Sequence, residues 1–527
     1  MQNRHRSDRL SWGDTVFLHL EREGMPLNVA SVCVFEGDIS FDDCLLFVES
    51  KLPLIPRYTK RVMSAPLAVG LPSWEYDPDF DLRRHVREIA LRHGTDSELK
   101  TAAGRLFSKV MDRRHPLWDM TLVRGLKGNR TGMIFRLHHC LADGIAGVGI
   151  MNLLLDACPQ RLSKRKLRFT VPPRRDALTS LTAGFVDSYS DFVKRILAAF
   201  ADLLNMAERA AVHGGNIAAT GELSTLLPEI TAFTQRLRFN IPYRGPQKFA
   251  WADIPLLHVK AIRQTFGITV NDVILALVTA TVRRYLELHG DRVKGRLFRM
   301  MVPVNLRGSD NVSELGNRIS LVPVTIPLDI RDPGKLLAAV HRRTEFLKRS
   351  HAAELVSLAG GMIGMFPTAL QALVGPIASQ LPITPFNMVC TNVPGPQYPL
   401  YLLGHKMLTW YPYVPVGGEM AVNCAILSYD GTVYFGFSGD AHAAPDLRRM
   451  EEFLKVSFAE LRRAAGIKPP RTKSSRSKRV RASRVAKLTS EPATASASIP
   501  LTVPSASVQT ASPGVVTEKK ILTRAIA

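Results

Sequence analysis

The residues best suited to chemistry in this chain are two adjacent histidines, His138 and His139, with Asp143 and Gly144 close behind them. A neutral imidazole titrates near neutrality, so it can take a proton from an alcohol and later return it. The pair ends an apolar run, Met133, Ile134, Phe135 and Leu137, that reads as a strand. Successive side chains on a strand point to opposite faces, so one ring should enter packing and the other open space. Gly144 to Ala157 has helical character, and Asp143 stands at the expected N-cap, where free N–H groups and the helix dipole favour a carboxylate. Ionised there, Asp143 could brace the histidine loop through a buried arginine. Metal chemistry fits poorly, because adjacent histidines do not easily share one ion and no Cys or Glu stands at ligand spacing. A serine triad is not indicated either, since no G-x-S-x-G precedes the pair.

The elements that must hold these groups are legible on both sides. Leu10 to Glu23 reads as a short helix capped by Ser11 or Asp14, Ala30 to Glu36 as a strand and Ser40 to Leu52 as a helix; all three read as scaffold. In R-H-P-L-W-D-M-T-L-V, Pro116 breaks a preceding helix, Leu117 follows, and Trp118 opens a strand in which core packing is its expected role. That strand should turn at Gly128-Asn129-Arg130 into the histidine strand, giving a hairpin. The second half opens near Phe239. Leu256 to Phe266 is a helix, Gly267 begins a turn, and a long helix follows for which Asn271 or Asp272 is the natural cap. Leu427 to Asp440 reads as a hairpin turning at Asp430-Gly431, and Asp446 to Ala465 as a final helix.

Composition bounds the rest. The 527 residues, 46% hydrophobic and 22% charged, suffice for two domains with ample core. The net charge is +23, of which the segment from Lys468 onward carries +10 on twelve Lys/Arg and two Glu. That segment is rich in Pro, Ser, Thr, Ala and basic residues and reads as a disordered tail. A basic surface suits anionic lipid or a phosphorylated substrate; nucleic acid is not expected, for no aromatic platform accompanies the basic run. The six cysteines form no C-x-x-C and read as free thiols of a cytoplasmic protein. The N-terminus lacks the apolar core of a signal peptide. Leu355 to Pro382 is uncharged but broken by glycines and prolines, which favours buried or interfacial helices over a membrane span. Ala177 to Ala211 reads as an apolar helix flanked by Lys194 and Arg195, a packed crossover or a docking surface for membrane.

The stretch H-H-C-L-A-D-G resembles the H-H-x-x-x-D-G signature of the CoA-dependent acyltransferase superfamily. Further segments resemble the bacterial wax ester synthase/acyl-CoA:diacylglycerol acyltransferase family: the opening leucine-serine helix, W-E-Y-D-P-D-F-D-L-R-R-H-V at 74–86, P-L-W at 116–118, N-D at 271–272, P-V-N-L-R at 303–307, L-G-N at 315–317 and T-N-V-P-G-P at 391–396. The last has Thr391 where the family has serine, which keeps a hydroxyl. A departure is G-E-M-A-V-N at 418–423, where related sequences place a glycine-leucine pair; it touches the acceptor pocket rather than the chemistry. The likeness spans about residues 8–465.

This resemblance implies an α/β fold of two chloramphenicol-acetyltransferase-like domains with a tunnel between them: residues 1–157 with the histidine motif, a crossover linker at 158–238, a second domain at 239–466 and the tail at 467–527. It implies His139 as general base, His138 and Asp143 as loop support, and Asn271 as a possible oxyanion donor. Gly144, Asp272, Arg307, Pro116, Leu117 and Trp118 would be structural support, Arg307 as partner of Asp143. Acyl-CoA would be a co-substrate, with no permanently bound cofactor and no metal. The expected acceptor is diacylglycerol or a long-chain alcohol, and the expected place is peripheral, on the inner membrane or lipid droplets. Two rivals remain. Condensation domains share H-H-x-x-x-D-G but take acyl groups from carrier proteins to amines. A non-catalytic lipid-binding protein would use the basic tail and apolar helices alone.

Overall fold

The structure, a computed structural model, describes residues 9–64, 71–142, 144–160, 234–305, 319–349 and 386–468. In chain order the helices are α1 (Trp12–Leu20), α2 (Phe41–Lys51), the single turn α3 (Leu82–His85), α4 (Asp96–Phe107), α5 (Gly144–Leu154), α6 (Leu256–Phe266), α7 (Val270–Leu288), α8 (Pro333–Arg349) and α9 (Arg449–Ala464). The strands are β1 (Asn28–Glu36), β2 (Lys60–Met63), β3 (Ser73–Tyr76), β4 (Val86–Ala90), β5 (Trp118–Leu126), β6 (Arg130–His138), β7 (Gln247–Pro255), β8 (Leu297–Asn305), β9 (Ile319–Pro327), β10 (Met388–Pro394), β11 (Tyr401–Leu402), β12 (His405–Tyr413), β13 (Val422–Tyr429) and β14 (Thr432–Asp440).

Two six-stranded mixed sheets dominate, in the orders β11-β12-β1-β6-β5-β4 and β7-β14-β13-β10-β8-β9. Local chemistry sets many boundaries. Ser11 caps α1 and Asp14 bonds back to its N–H, a capping box that joins the two residues the sequence offered as alternatives. Gly128 and Asn129 both take positive φ in the three-residue β5–β6 loop, and Asp430 and Gly431 do so in the two-residue β13–β14 turn, the backbone that tight hairpin requires. For α7 the cap is neither Asn271 nor Asp272 but Thr269, whose hydroxyl accepts from Asp272 N–H while Asp272 bonds back to Thr269 N–H. The extended residue with the short side chain comes first and the carboxylate sits in the first turn.

Strand β12, which a division at residue 239 assigns to the second half of the chain, is hydrogen-bonded to β1 from Ala30↔Tyr413 to Phe35↔Met407. It also touches the second sheet. Tyr434, Gly436 and Ser438 alternate along β14 on one face; Tyr434 donates to Leu408 O at 3.1 Å and Ser438 to Val414 O at 2.6 Å. A Cβ on Gly436 would stand 1.8 Å from Pro412 O, so only glycine lets these backbones meet. Helix α4 supplies a second seam through residues spaced four apart. Lys100 pairs with Glu451 at 2.6 Å and lies over the Trp251 ring, Gly104 lies against Gln247 O, and Ser108 Oγ, just past the helix, accepts Gln247 N–H at 2.8 Å. Two large clusters of buried apolar residues result, and the first draws Phe249, Trp251 and Tyr434 from the second half.

Among the described residues no single helix is long and apolar enough to cross a membrane. The segments 177–211, 355–382 and the tail lie outside the described residues. All six cysteines are free.

Candidate active site

Strand β6 is central in its sheet and buried from Thr131 to His138, paired with β1 on one side and β5 on the other. His138 ends it. Its N–H donates to Leu117 O at 2.9 Å, while that of His139 donates to Leu27 O at 2.9 Å, so the chain turns between the two. His138 is fully buried and His139 half-buried; the two rings part because the strand ends at His138 and His139 lies in the turn after it, not by strand alternation. Cys140 N–H donates to His138 Nδ1 at 3.1 Å, which leaves the His138 proton on Nε2, and Nε2 faces Glu21 Oε2 at 3.4 Å.

His139 stacks on Phe17, with ring centroids 3.8 Å apart and planes 12° from parallel. Burial is the main cause that brings its imidazole down to about 4; a bond to its own backbone opposes this and His138 adds to it. At neutral pH His139 is therefore an uncharged imidazole ready to accept a proton. Cys140, between this ring and α5, is buried, and burial together with Asp14 and Glu21 holds its thiol well above the usual range. A thiolate nucleophile at that position is disfavoured.

Pro116, Leu117 and Trp118 sit beside the histidines and are buried. Leu117 holds His138 through its carbonyl, as above. Trp118 pairs with Leu137 across the sheet, donates its indole N–H to Tyr58 O at 2.8 Å and stacks between Tyr58 and His85. Core packing is its role in the structure.

The second half approaches through β10. A Cβ on Gly144, the first residue of α5, would stand 3.0 Å from Val393 Cγ2. The next residue back, Asn392, donates its side-chain N–H to Asn271 Oδ1 at 3.3 Å. Gly144, Val393, Asn392 and Asn271 thus form a continuous bridge from the histidine loop to the start of α7. Asp272 faces away from that bridge and is buried: its carboxylate accepts Thr344 Oγ1 at 2.6 Å and lies 2.9 Å from His341 Nδ1, tying α7 to α8. Burial opposes its charge, yet these hydrogen bonds together hold its carboxyl below the usual range. The loop after β10 is fastened to the β13–β14 hairpin, Gly395 N–H donating to Ser428 O at 2.9 Å and Asp430 N–H to Pro396 O at 3.1 Å. Asp143 and Arg307, expected to pair, lie outside the described residues. Among the described residues no group of three or more His, Cys, Asp or Glu could hold a metal ion.

Sequence reasoning missed what α1 supplies. The segment read as scaffold carries Phe17, which faces His139, and ends at Glu21, which faces His138. Glu21 is buried with Arg113 Nη2 at 3.2 Å as its counter-charge. Burial alone would raise its carboxyl, but His138, Leu27 N–H and Arg113 outweigh that and hold it below its ordinary value. The available signal was an acidic residue at the end of an amphipathic helix with no basic residue in helical register. Its partners, 92 and 117 positions away, gave no local hint.

Comparison with known proteins joins these observations. A family description of the wax ester synthase/diacylglycerol acyltransferase catalytic domain matches residues 10–274, and one of the C-terminal domain of the same family matches 315–462. A Mycobacterium tuberculosis relative named as a diacylglycerol O-acyltransferase, tgs1, is 29% identical over 437 residues, covering 82% of this chain and 91% of its own. A second from that organism, tgs2, is 27% identical over 472 residues, covering 87% and 100%. The solved wax ester synthase/diacylglycerol acyltransferase from Marinobacter aquaeolei VT8 matches with a TM-score of 0.60 at 25% identity, covering 87% of this chain and 100% of that one. The first condensation domain of the CDA synthetase has the same fold, with a TM-score of 0.54 at 14% identity over 87% of this chain and 96% of its own. Matched in both halves, with paired histidines at the buried end of a central strand, the chain belongs to the wax ester synthase/diacylglycerol acyltransferase family of acyltransferases.

Proposed function

We propose that this acyltransferase moves a long-chain acyl group from acyl-CoA to the hydroxyl of diacylglycerol, of a long-chain alcohol, or of both. The observation that carries the reading is His139: a half-buried imidazole kept neutral by burial, stacked on Phe17 and with its backbone N–H held by Leu27 O, in a chain of this family. The neutral imidazole of His139 takes the proton of the acceptor hydroxyl as its oxygen attacks the thioester carbonyl. The tetrahedral intermediate collapses to an ester and the CoA thiolate, which recovers the proton from the imidazolium. No acyl-enzyme is needed, consistent with the buried, protonated Cys140. Asn271, its Oδ1 engaged by Asn392, is left with its amide N–H groups to donate to the oxyanion, where preorganised donors contribute most. Asp143 with Arg307 would brace the loop. The two halves, divided near residues 158–238, would hold donor and acceptor together in a tunnel and lower the entropic barrier. The basic tail would keep the enzyme peripheral on anionic membrane or lipid droplets.

The test is a product analysis. Purified protein is supplied with palmitoyl-CoA and either dioleoylglycerol or hexadecanol, and triacylglycerol and wax ester are resolved. His139→Ala is expected to lose roughly 10²–10⁴-fold in rate. Wild-type turnover by that variant would remove His139 from the mechanism. Ester formation from an acylated carrier protein but not from palmitoyl-CoA would favour a condensation-type reaction. Lipid flotation with no ester in either assay would favour a binding protein.

A further inference from the structure

We infer that Glu21 is a positioning residue for the catalytic base, tying the ring of His138 and the backbone of His139 to one buried carboxylate. Glu21 terminates α1, its N–H donating to Phe17 O at 3.2 Å. Its side chain is fully buried and each oxygen is engaged. Oε1 accepts the Leu27 N–H at 3.0 Å, and the carbonyl of the same Leu27 accepts the His139 N–H at 2.9 Å. Oε2 accepts Arg113 Nη2 at 3.2 Å and faces His138 Nε2 at 3.4 Å. Arg113 Nη2 also donates to Leu18 O at 2.7 Å, closing the end of the helix that carries Phe17. One carboxylate therefore fixes three things around His139. It selects the His138 tautomer whose Nδ1 accepts Cys140 N–H, it anchors the peptide that holds His139, and it sets the end of the helix whose Phe17 lies against the His139 ring.

The chemistry demands a carboxylate rather than an amide. Two donors hold the two oxygens, Leu27 N–H on Oε1 and Arg113 Nη2–H on Oε2, and His138 Nε2 lies 3.4 Å from Oε2. A glutamine can present its oxygen to one side only. Turned either way, its NH₂ meets a donor, and His138 could yield only by moving its proton to Nδ1, against the Cys140 N–H. The imidazole loop would then shift, and the loss should fall on turnover rather than on substrate binding.

This inference rests on His139 being the base, and the experiment separates the two. Glu21→Gln, His138→Gln and their double variant are compared with wild type and His139→Ala in ester formation from palmitoyl-CoA and hexadecanol or dioleoylglycerol. Glu21→Gln should lower kcat about 10- to 100-fold, the scale of a displacement near 1 Å, with KM for both substrates within about twofold. Because Glu21 acts through His138, the double variant should lose little more than the worse single variant, rather than the product of both losses. A kcat within about threefold of wild type, a rise in KM that matches the fall in kcat, or multiplying losses would each overturn the positioning role. Should Glu21→Gln not accumulate as folded protein, Arg113→Met, on the more exposed side of the pair, takes its place. It should lower kcat about 3- to 10-fold at constant KM, and an unchanged kcat overturns the inference. Inactive His139→Ala beside fully active Glu21 variants would sink this inference alone, whereas active His139→Ala would sink the mechanism beneath it.

Discussion

The burial of His139 makes a definite statement about acidity. Folding brings its imidazole from an ordinary value of 6.5 to about 4, chiefly through loss of hydration. The base is the neutral form, so activity should be present above the folded pKa and fall only as pH drops through it. At pH 5.5 about 97% of such a ring is neutral, against about 9% of an unperturbed histidine. The ratio kcat/KM at pH 5.5 should therefore stay within a few percent of its plateau, where an ordinary histidine would have lost about tenfold. The assay is initial-rate ester formation between pH 3 and 8 at subsaturating acyl donor. Phosphate groups on CoA also titrate near pH 6. The profile should accordingly be repeated with S-palmitoyl-pantetheine, which lacks them. A limb that moves with the donor belongs to CoA; one that stays near pH 4 belongs to His139. A limb centred between pH 6 and 7 with both donors would refute the reasoning, because it would mean the ring is hydrated. The same shift has a second consequence. The unfolded chain binds this proton below pH 6.5 and the folded one only near 4, so stability should decline across that window by about 3 kcal/mol, visible as a falling midpoint in urea denaturation.

Other substitutions test the frame around the ring. Gly436→Ala places a methyl against Pro412 O and must part β12 from β14; a loss of about 1–3 kcal/mol or more in thermal unfolding is expected, and an unchanged Tm would contradict the close approach. Trp118→Phe removes the indole N–H that Tyr58 O accepts inside the core, which should lower stability by about 1–3 kcal/mol; a denaturation midpoint equal to wild type would deny that bond any role. Asn271→Ala should lower kcat about 10²–10³-fold with little change in KM if its amide meets the oxyanion; a change confined to KM would place it in substrate binding instead.

What was legible in the sequence divides along a physical line. The boundaries of α6 match their sequence reading because Gly267 takes positive φ at the C-cap, and both hairpins turn where Gly-Asn and Asp-Gly stand, since those residues tolerate the backbone the turn needs. The paired histidines declared a reactive group for the same reason: their chemistry is a property of adjacent residues. The failures belong to contacts made across the sheets. Thr269 takes the α7 cap ahead of Asn271 because Asp272, one turn in, is recruited by Thr344 and His341 of α8. The pairing of β12 with β1 depends on register across almost the whole chain and on one glycine in β14, neither visible to periodicity. The largest omission, the service of α1 to the histidines, has the same origin. Phe17 and Glu21 obey the pattern of an ordinary amphipathic helix, and only the fold reveals that its end is buried on a charge. A buried carboxylate is costly unless every lone pair is engaged, so a chain that keeps Glu21 there has tied its helix end, its strand end and its base into one arrangement. Loosening any one of the three should be felt at the His139 ring.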